Sequence, residues 1–103
     1  MNEIFFRAFL ISKNYSKKIC SDFVSRIKRL ENSIENCDVD DEYDKDRCKM
    51  LLSLLEKNGV NEKLKKVQTG SLPIGKYSMS TFRYSVKKYI EFRDSLNQGF
   101  KIK

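Results

Sequence analysis

Lysine, arginine, serine and tyrosine recur on one side of two amphipathic segments, YSKKICSDFVSRIKRLENSI over 15–34 and MSTFRYSVKKYIEFRDSL over 79–96. Their ammonium, guanidinium and hydroxyl groups donate hydrogen bonds to phosphate oxygens, so this pattern favours the binding of a polyanion. The polar side of the first segment carries Lys18, Ser21, Ser25, Lys28, Arg29 and Asn32, with Arg26 on its flank, and that of the second carries Ser80, Arg83, Tyr84, Lys87 and Lys88. A net charge of +7 favours the same kind of partner. The two segments predict a clamp for a nucleic-acid backbone.

Residues that could perform catalysis or hold a metal are not arranged for it in this sequence. The chain contains no histidine and no glycine-rich phosphate loop, and none of its five tyrosines lies in a basic cluster of its own. Its three cysteines, Cys20, Cys37 and Cys48, have no metal-ligand spacing and are expected to be reduced thiols. We therefore predict a protein that is not an enzyme and that uses no metal and no cofactor.

The acidic stretch 35–47 invites comparison with a calcium loop. It has seven Asp and Glu against two basic residues. An EF-hand loop starting at Asp38 requires Gly at its sixth position and Glu at its twelfth, where this chain has Tyr43 and Lys49. The stretch is therefore interpreted as an acidic connector, a loop that leads into the next helix.

Helices are the elements that must position the basic residues. One proline and four glycines in 103 residues favour an all-α bundle of four to five helices, folded as a single domain over 1–103. A first helix is expected over 3–11, and Ser16 is a suitable N-cap for a second. The apolar sides of these two helices are predicted to comprise Ile4, Phe5, Phe6, Phe9 and Leu10, followed by Ile19, Cys20, Phe23, Val24, Ile27, Leu30 and Ile34.

The second half of the chain predicts two further helices, a short piece and a loop. A buried third helix is expected from Cys48 to Asn58-Gly59, followed by a short helical piece that Asn61 caps. A loop is expected over 68–78, and the last long helix is expected to start near Ser78 or Ser80. Phe82, Val86, Tyr89, Ile90, Phe92, Arg93 and Leu96 outline the inner side of that last helix.

The order of these segments resembles the SAM-like N-terminal core-binding domain of tyrosine recombinases and phage integrases. In that family a short helix of the type F-x-x-F/Y-L precedes a few polar residues ending in Ser and then a long patterned helix. Here these features are Phe6, Phe9 and Leu10, then Lys13-Asn14-Tyr15-Ser16, then Phe23, Ile27 and Leu30. The family's closing helix is similar to Ser80-Thr81 followed by Tyr89-Ile90-Glu91-Phe92.

The resemblance implies that the second and the last long helix lie against duplex DNA and hold its phosphates. Transferred by position, it implies binding by Lys13, Ser16, Lys17, Lys18, Ser25 and Arg29 and by Lys76, Ser80, Thr81, Arg83 and Lys87, and Tyr84 is predicted as a binding residue beside them. Phosphate contacts give affinity without sequence selection. Among these residues Arg83, Tyr84 and Lys87 are the expected contacts to base edges.

The family's catalytic domain has no counterpart in this chain, so the sequence alone does not make a recombinase. This chain is expected either to be part of a longer protein or to be a free-standing relative that binds DNA without cutting it. The alternative is a small phage or mobile-element protein-interaction module, for example an anti-CRISPR-type inhibitor, whose basic face contacts a nucleic-acid-binding protein or a nucleoprotein. No run approaches the length of a membrane span, and we expect a cytoplasmic protein without a membrane partner.

Overall fold

Six α-helices make up most of the computed structural model, which describes residues 1–59, 61–70, 72 and 75–98, without the side chains of Asn58 and Lys76. The helices are α1 (Glu3–Ser12), α2 (Lys17–Ser33), α3 (Val39–Asp46), α4 (Lys49–Leu54), α5 (Glu62–Val67) and α6 (Lys76–Asn97). A 3-10 turn, Lys57–Gly59, lies between α4 and α5. No strand occurs within the described ranges. The prediction of an all-α bundle is confirmed.

Aromatic rings from α1 and α6 form the centre of the core. Phe6 packs edge-on against Tyr89 with ring centroids 4.9 Å apart, and Phe92 lies 5.6 Å from Phe6 and 5.7 Å from Phe9. All four side chains are at most 2% exposed. The predicted inner faces of both helices are therefore correct at these positions, and the contacts fix α1 across the C-terminal half of α6.

Helix α2 runs antiparallel to α6. Tyr15, just before α2, meets Tyr84 in the middle of α6, whereas Arg29 lies near Tyr77 at its start. Ser16 caps α2 as predicted, because its hydroxyl oxygen accepts from the Ile19 amide at 3.2 Å. The remaining predicted stripe of α2 is buried, but Ile19 is 43% exposed. The expectation for Ile19 is wrong because it lies in the first turn, before the helix is covered by its neighbours.

Helix α3 corrects the prediction that 35–47 is a loop. The Asp38 side chain caps it by accepting from the amides of Asp40 and Asp41 at 2.9 and 3.2 Å. Carboxylates in its first turn also complement the helix dipole. The apolar period is weak here, since Val39 is the only apolar residue that the helix buries completely. Its acidic residues are instead secured by contacts with α6.

Arg93 joins α3 to the C-terminal half of α6. Its guanidinium pairs with Asp40 at 2.8 Å and with Asp44 at 2.7 Å, and it lies 4.4 Å from the centre of the Tyr43 ring. A second link runs from the Asp94 carboxylate to Arg47 and to the Tyr43 hydroxyl, which donates at 2.7 Å. Two of the five acidic residues of α3, Asp40 and Asp44, are thus paired with Arg93 at this end of the molecule.

The third predicted helix is divided in the structure. Helix α4 ends at Leu54, short of the expected end at Asn58-Gly59. Asn61 explains the change of direction, because its side-chain amide donates to the carbonyls of Leu54 and Glu56 while its oxygen caps α5 by accepting from the Leu64 amide at 2.8 Å. The predicted Asn61 cap is confirmed, and the same side chain ends the preceding helix.

The start of α6 corrects the end of the loop predicted over 68–78. The helix begins at Lys76, so neither Ser78 nor Ser80 is its N-cap. The loop's beginning is tied to the end of α2 by a bridge between Gln68 and Ile34 and by a 2.8 Å bond from the Thr69 amide to the Ser33 carbonyl. These bonds hold Gln68 and Thr69 against the C-terminal end of α2.

Candidate nucleic-acid interface

A surface groove of about 240 Å³ lies between α2 and the first turns of α6. We call it the α2–α6 groove, and its lining residues are Ser25, Arg26, Arg29, Tyr77, Ser78, Thr81 and Phe82. Its apolar lining residue is Phe82, which is 3% exposed and belongs to the core. Three of the predicted binding residues, Ser25, Arg29 and Thr81, meet in it.

Two arginines give the groove its charge. Arg26 and Arg29 lie one turn apart on the α2 wall, and none of the described lining residues is acidic. Arg26 is half-buried, and no ion pair joins it to another residue within the described part of the chain. A guanidinium group can bind two oxygens of one phosphate through a pair of N–H donors.

Hydroxyl groups on the α6 wall are already engaged. The Thr81 hydroxyl donates to the Ser78 carbonyl at 2.7 Å. The Ser80 hydroxyl, which does not line the groove, donates to the Tyr77 carbonyl at 3.1 Å. Such bonds back to the preceding turn use the hydroxyl proton, so the oxygen is left as an acceptor. In this geometry Arg26 and the exposed Ser25 can donate toward an anion, while Tyr77, 81% exposed, provides an aromatic edge.

A cluster of two tyrosines and a lysine lies further along the same helix pair. The hydroxyls of Tyr15 and Tyr84 are 3.3 Å apart, and the Lys88 ammonium is 5.4 Å from the centre of each ring. Phe23 packs edge-on against both rings. The Glu91 carboxylate, 2.9 Å away, and the Tyr15 hydroxyl raise the pKa of Lys88, so the ammonium remains charged at neutral pH. Tyr84, predicted as a binding residue, is therefore held beside a cation.

Arg83 does not lie with the other predicted residues. Its guanidinium donates to the Leu55 carbonyl at 2.6 Å and closes the end of α4, so it points away from the α2–α6 groove. The expectation that Arg83 lies with Tyr84 on the outer side of α6 is therefore wrong. A carbonyl at a helix end needs a donor, and Arg83 supplies it.

The remaining predicted residues do not line the α2–α6 groove. Lys18 and Lys87 are exposed on α2 and α6. Lys17 instead lines a groove between α1 and α2, and the Lys13 ammonium lies 5.6 Å from the Phe9 ring centre. Lys76 is in the first turn of α6, and its side chain is outside the described set. Ser16 is used as the cap of α2.

Sequence reasoning did not place Arg26, Tyr77 and Ser78 in the site. The sequence pattern puts Arg26 on the flank of α2, and in the structure this flank faces the first turns of α6. Tyr77 falls in the stretch expected to be a loop. Extending the helical period of α6 back to residue 76 would have predicted the position of Tyr77. This period puts Tyr77, Thr81 and Tyr84 on neighbouring turns.

Metal and membrane sites are not evident in the ranges that the structure covers. These ranges contain no group of three or more Cys, Asp or Glu arranged to hold an ion, and none of their helices is long and apolar enough to cross a bilayer. Cys20 and Cys48 are buried, and Cys37 is half-buried. Burial raises the pKa of Cys37 and Cys48 to about 12, which keeps both thiols protonated.

Comparison with known proteins gives no relative for this arrangement. No protein-family model, no curated protein and no solved structure matches the chain. The resemblance to recombinase core-binding domains therefore remains a prediction from the sequence.

Proposed function

We propose that the chain binds duplex DNA without cutting it, and that the α2–α6 groove holds the phosphate backbone. The single observation that carries the proposal is the pair Arg26 and Arg29 on one wall of a groove whose described lining contains no carboxylate. Lys18 and Lys87 are exposed on α2 and α6 and add positive charge to these two helices. Electrostatic binding of this kind supplies affinity for any duplex sequence.

The distribution of charge supports a localised interface. Asp40 and Asp44 of α3 are paired with Arg93 on the C-terminal half of α6, and Arg47, just after α3, is paired with Asp94 of α6. The groove instead lies at the start of α6. A duplex that lies along the groove would meet cations without approaching this acidic cluster. Such separation is typical of proteins that guide a polyanion to one face.

The test is fluorescence anisotropy with a random 20-base-pair duplex over a salt series. Four phosphate contacts, from Arg26, Arg29, Lys18 and Lys87, give a slope of log K against log salt of about −3.6. The double variant Arg26→Gln, Arg29→Gln is expected to reduce the slope by about 1.8 and to weaken binding at every salt concentration.

A matched control removes the same charge elsewhere. Lys49→Gln with Lys63→Gln changes exposed lysines on α4 and α5 that do not line the groove. This control should retain most of the affinity. Equal losses in the two double variants would mean that net charge alone binds DNA, and absence of binding at low salt would exclude the proposed function.

A protein partner for the same surface is the second candidate function, and the exposed tyrosines favour it. Tyr77 and Tyr84 are 81% and 47% exposed, and tyrosine and arginine are the residues that most often dominate protein interfaces. An interface anchored by these rings would tolerate salt that dissociates DNA. At 0.5 M salt, charges are screened over about 3 Å to 5 Å. A protein partner that wild type still binds at this salt concentration, and that the Tyr77→Ser variant no longer binds, would support this second candidate.

A further inference from the structure

Helix α1 is apolar on its outward side as well as on its inward side. Phe6, Phe9 and Leu10 face the core and are at most 2% exposed. Ile4, Phe5 and Ile11 are 79%, 50% and 47% exposed, and Ala8 lies between them. Glu3 and Arg7 are the only charged residues among the ten of α1. A helix that is hydrophobic all round is normally covered on both sides.

The outward residues are spaced for contact with another helix. Ile4, Ala8 and Ile11 follow one another at steps of four and three, which places them in a single row on the helix surface. Beside this row lies a groove of about 350 Å³ between α1 and α2, lined by Ile11 and Cys20 together with Arg7, Lys17 and Ser21. An apolar row next to a groove is the geometry that accepts the anchors of an amphipathic helix.

The charges around this surface select the partner. Three cations border it: Arg7 and Lys17, which line the groove, and Lys28. They face one carboxylate, Glu3, which pairs with Arg7 at 2.9 Å and with Lys28 at 2.7 Å. A second copy of the same surface would bring these cations against one another. Carboxylates on the flanks of an apolar row would complement them.

We infer that the surface formed by the outer side of α1 and the α1–α2 groove docks an amphipathic helix of another protein, one whose apolar row is flanked by Asp or Glu. This surface is separate from the α2–α6 groove, because the two share no lining residue. The inference therefore does not depend on the proposed DNA binding.

The experiment uses the whole chain and three synthetic helical peptides of equal length. One has a leucine row flanked by Glu, the second has the same row flanked by Lys, and the third has the Glu flanks with the leucines replaced by Ser. Titration is followed by amide chemical shifts. The Glu-flanked leucine peptide should shift α1 and the start of α2 and should bind at least tenfold more tightly than either of the others.

Substitutions on the protein locate the site. Ile4→Ser with Ile11→Ser changes exposed side chains, so the fold should be retained while binding of the Glu-flanked peptide falls at least tenfold. The pair Lys63→Ser and Lys66→Ser on α5 is the control and should bind as wild type does.

Three results would overturn the inference. The first is no binding of the Glu-flanked leucine peptide, and the second is equal binding of the Glu-flanked and Lys-flanked peptides. The third is a dimer in sedimentation that Ile4→Ser with Ile11→Ser dissociates, because the occupant would then be a second copy.

Discussion

Replacing Arg93 with Met should weaken the contacts between α3 and α6 while leaving the α2–α6 groove unchanged. Arg93 is 19% exposed, so its charge is largely removed from water, and Met retains most of the apolar stem. Its pair with Asp40, 30% exposed, contributes about 1.5 to 2 kcal/mol, as expected for a hydrogen bond to a charged group. Its pair with Asp44, 65% exposed, adds about 0.5 kcal/mol because solvent screens it.

The contact with the Tyr43 ring adds about 0.5 kcal/mol more. The total loss is then about 2.5 to 3 kcal/mol of unfolding free energy, equivalent to about 10 to 24 °C in Tm for a domain of this size. Arg93→Lys keeps the charge but loses the two-sided hydrogen bonding, and it should cost about half as much. Urea unfolding followed by circular dichroism at 222 nm gives both values.

Arg26→Met is the matched control, since Arg26 has no ion pair within the described part of the chain. It should change the unfolding free energy by less than about 0.5 kcal/mol. A similarly small effect of Arg93→Met would refute the reasoning, because the acids of α3 would then not be secured by this residue.

Further perturbations test individual contacts. Gly70→Ala should destabilise by about 1 to 3 kcal/mol in urea unfolding, because its methyl group would lie 3.2 Å from the Ser33 Cα; an unchanged midpoint would contradict this close approach. Arg83→Met should cost about 1 to 3 kcal/mol by leaving the Leu55 carbonyl without its donor, and its affinity for DNA should change by less than that of Arg26→Gln; a selective loss of binding would show that Arg83 touches DNA. Burial raises the pKa of Asp40, but hydrogen bonds, notably from Tyr89 and Arg93, outweigh it and hold that pKa below its ordinary value. The carboxylate therefore stabilises the fold above about pH 4, and this stabilisation is lost as the pH falls through its folded pKa. Asp40→Asn should reduce the difference between urea midpoints at pH 7 and pH 3, and an equal difference in both proteins would contradict the assignment.

Local signals in the sequence predicted the elements whose stability is local. Ser16 and Asn61 cap helices as expected, because a cap depends only on residues within one turn. Helix α3 has little apolar period because most of its residues are acidic. Beside its Asp38 cap, it is held by Arg93, about fifty positions further along the chain. Contacts at that separation leave no periodic trace in the sequence.

The candidate site was predicted in outline and not in its details. The helical period identified the basic sides of α2 and α6, but it does not give the direction from which a neighbouring element approaches. Arg26 therefore looked peripheral, although the approach of α6 makes it part of the groove. Arg83 looked exposed, although the end of α4 engages it. Both corrections arise from packing between helices that are distant in sequence.

The most direct measurement of the central claim is the footprint of a duplex on the protein by NMR. Addition of a 20-base-pair duplex at low salt should shift the amides of 25–29 and 77–81 and the Nε–H signal of Arg26. Amides of α3 and of 91–97, the last two turns of α6, should remain in place. Shifts confined to α1 or α3, with the Arg26 signal unchanged, would contradict the assignment of the α2–α6 groove as the DNA-binding surface.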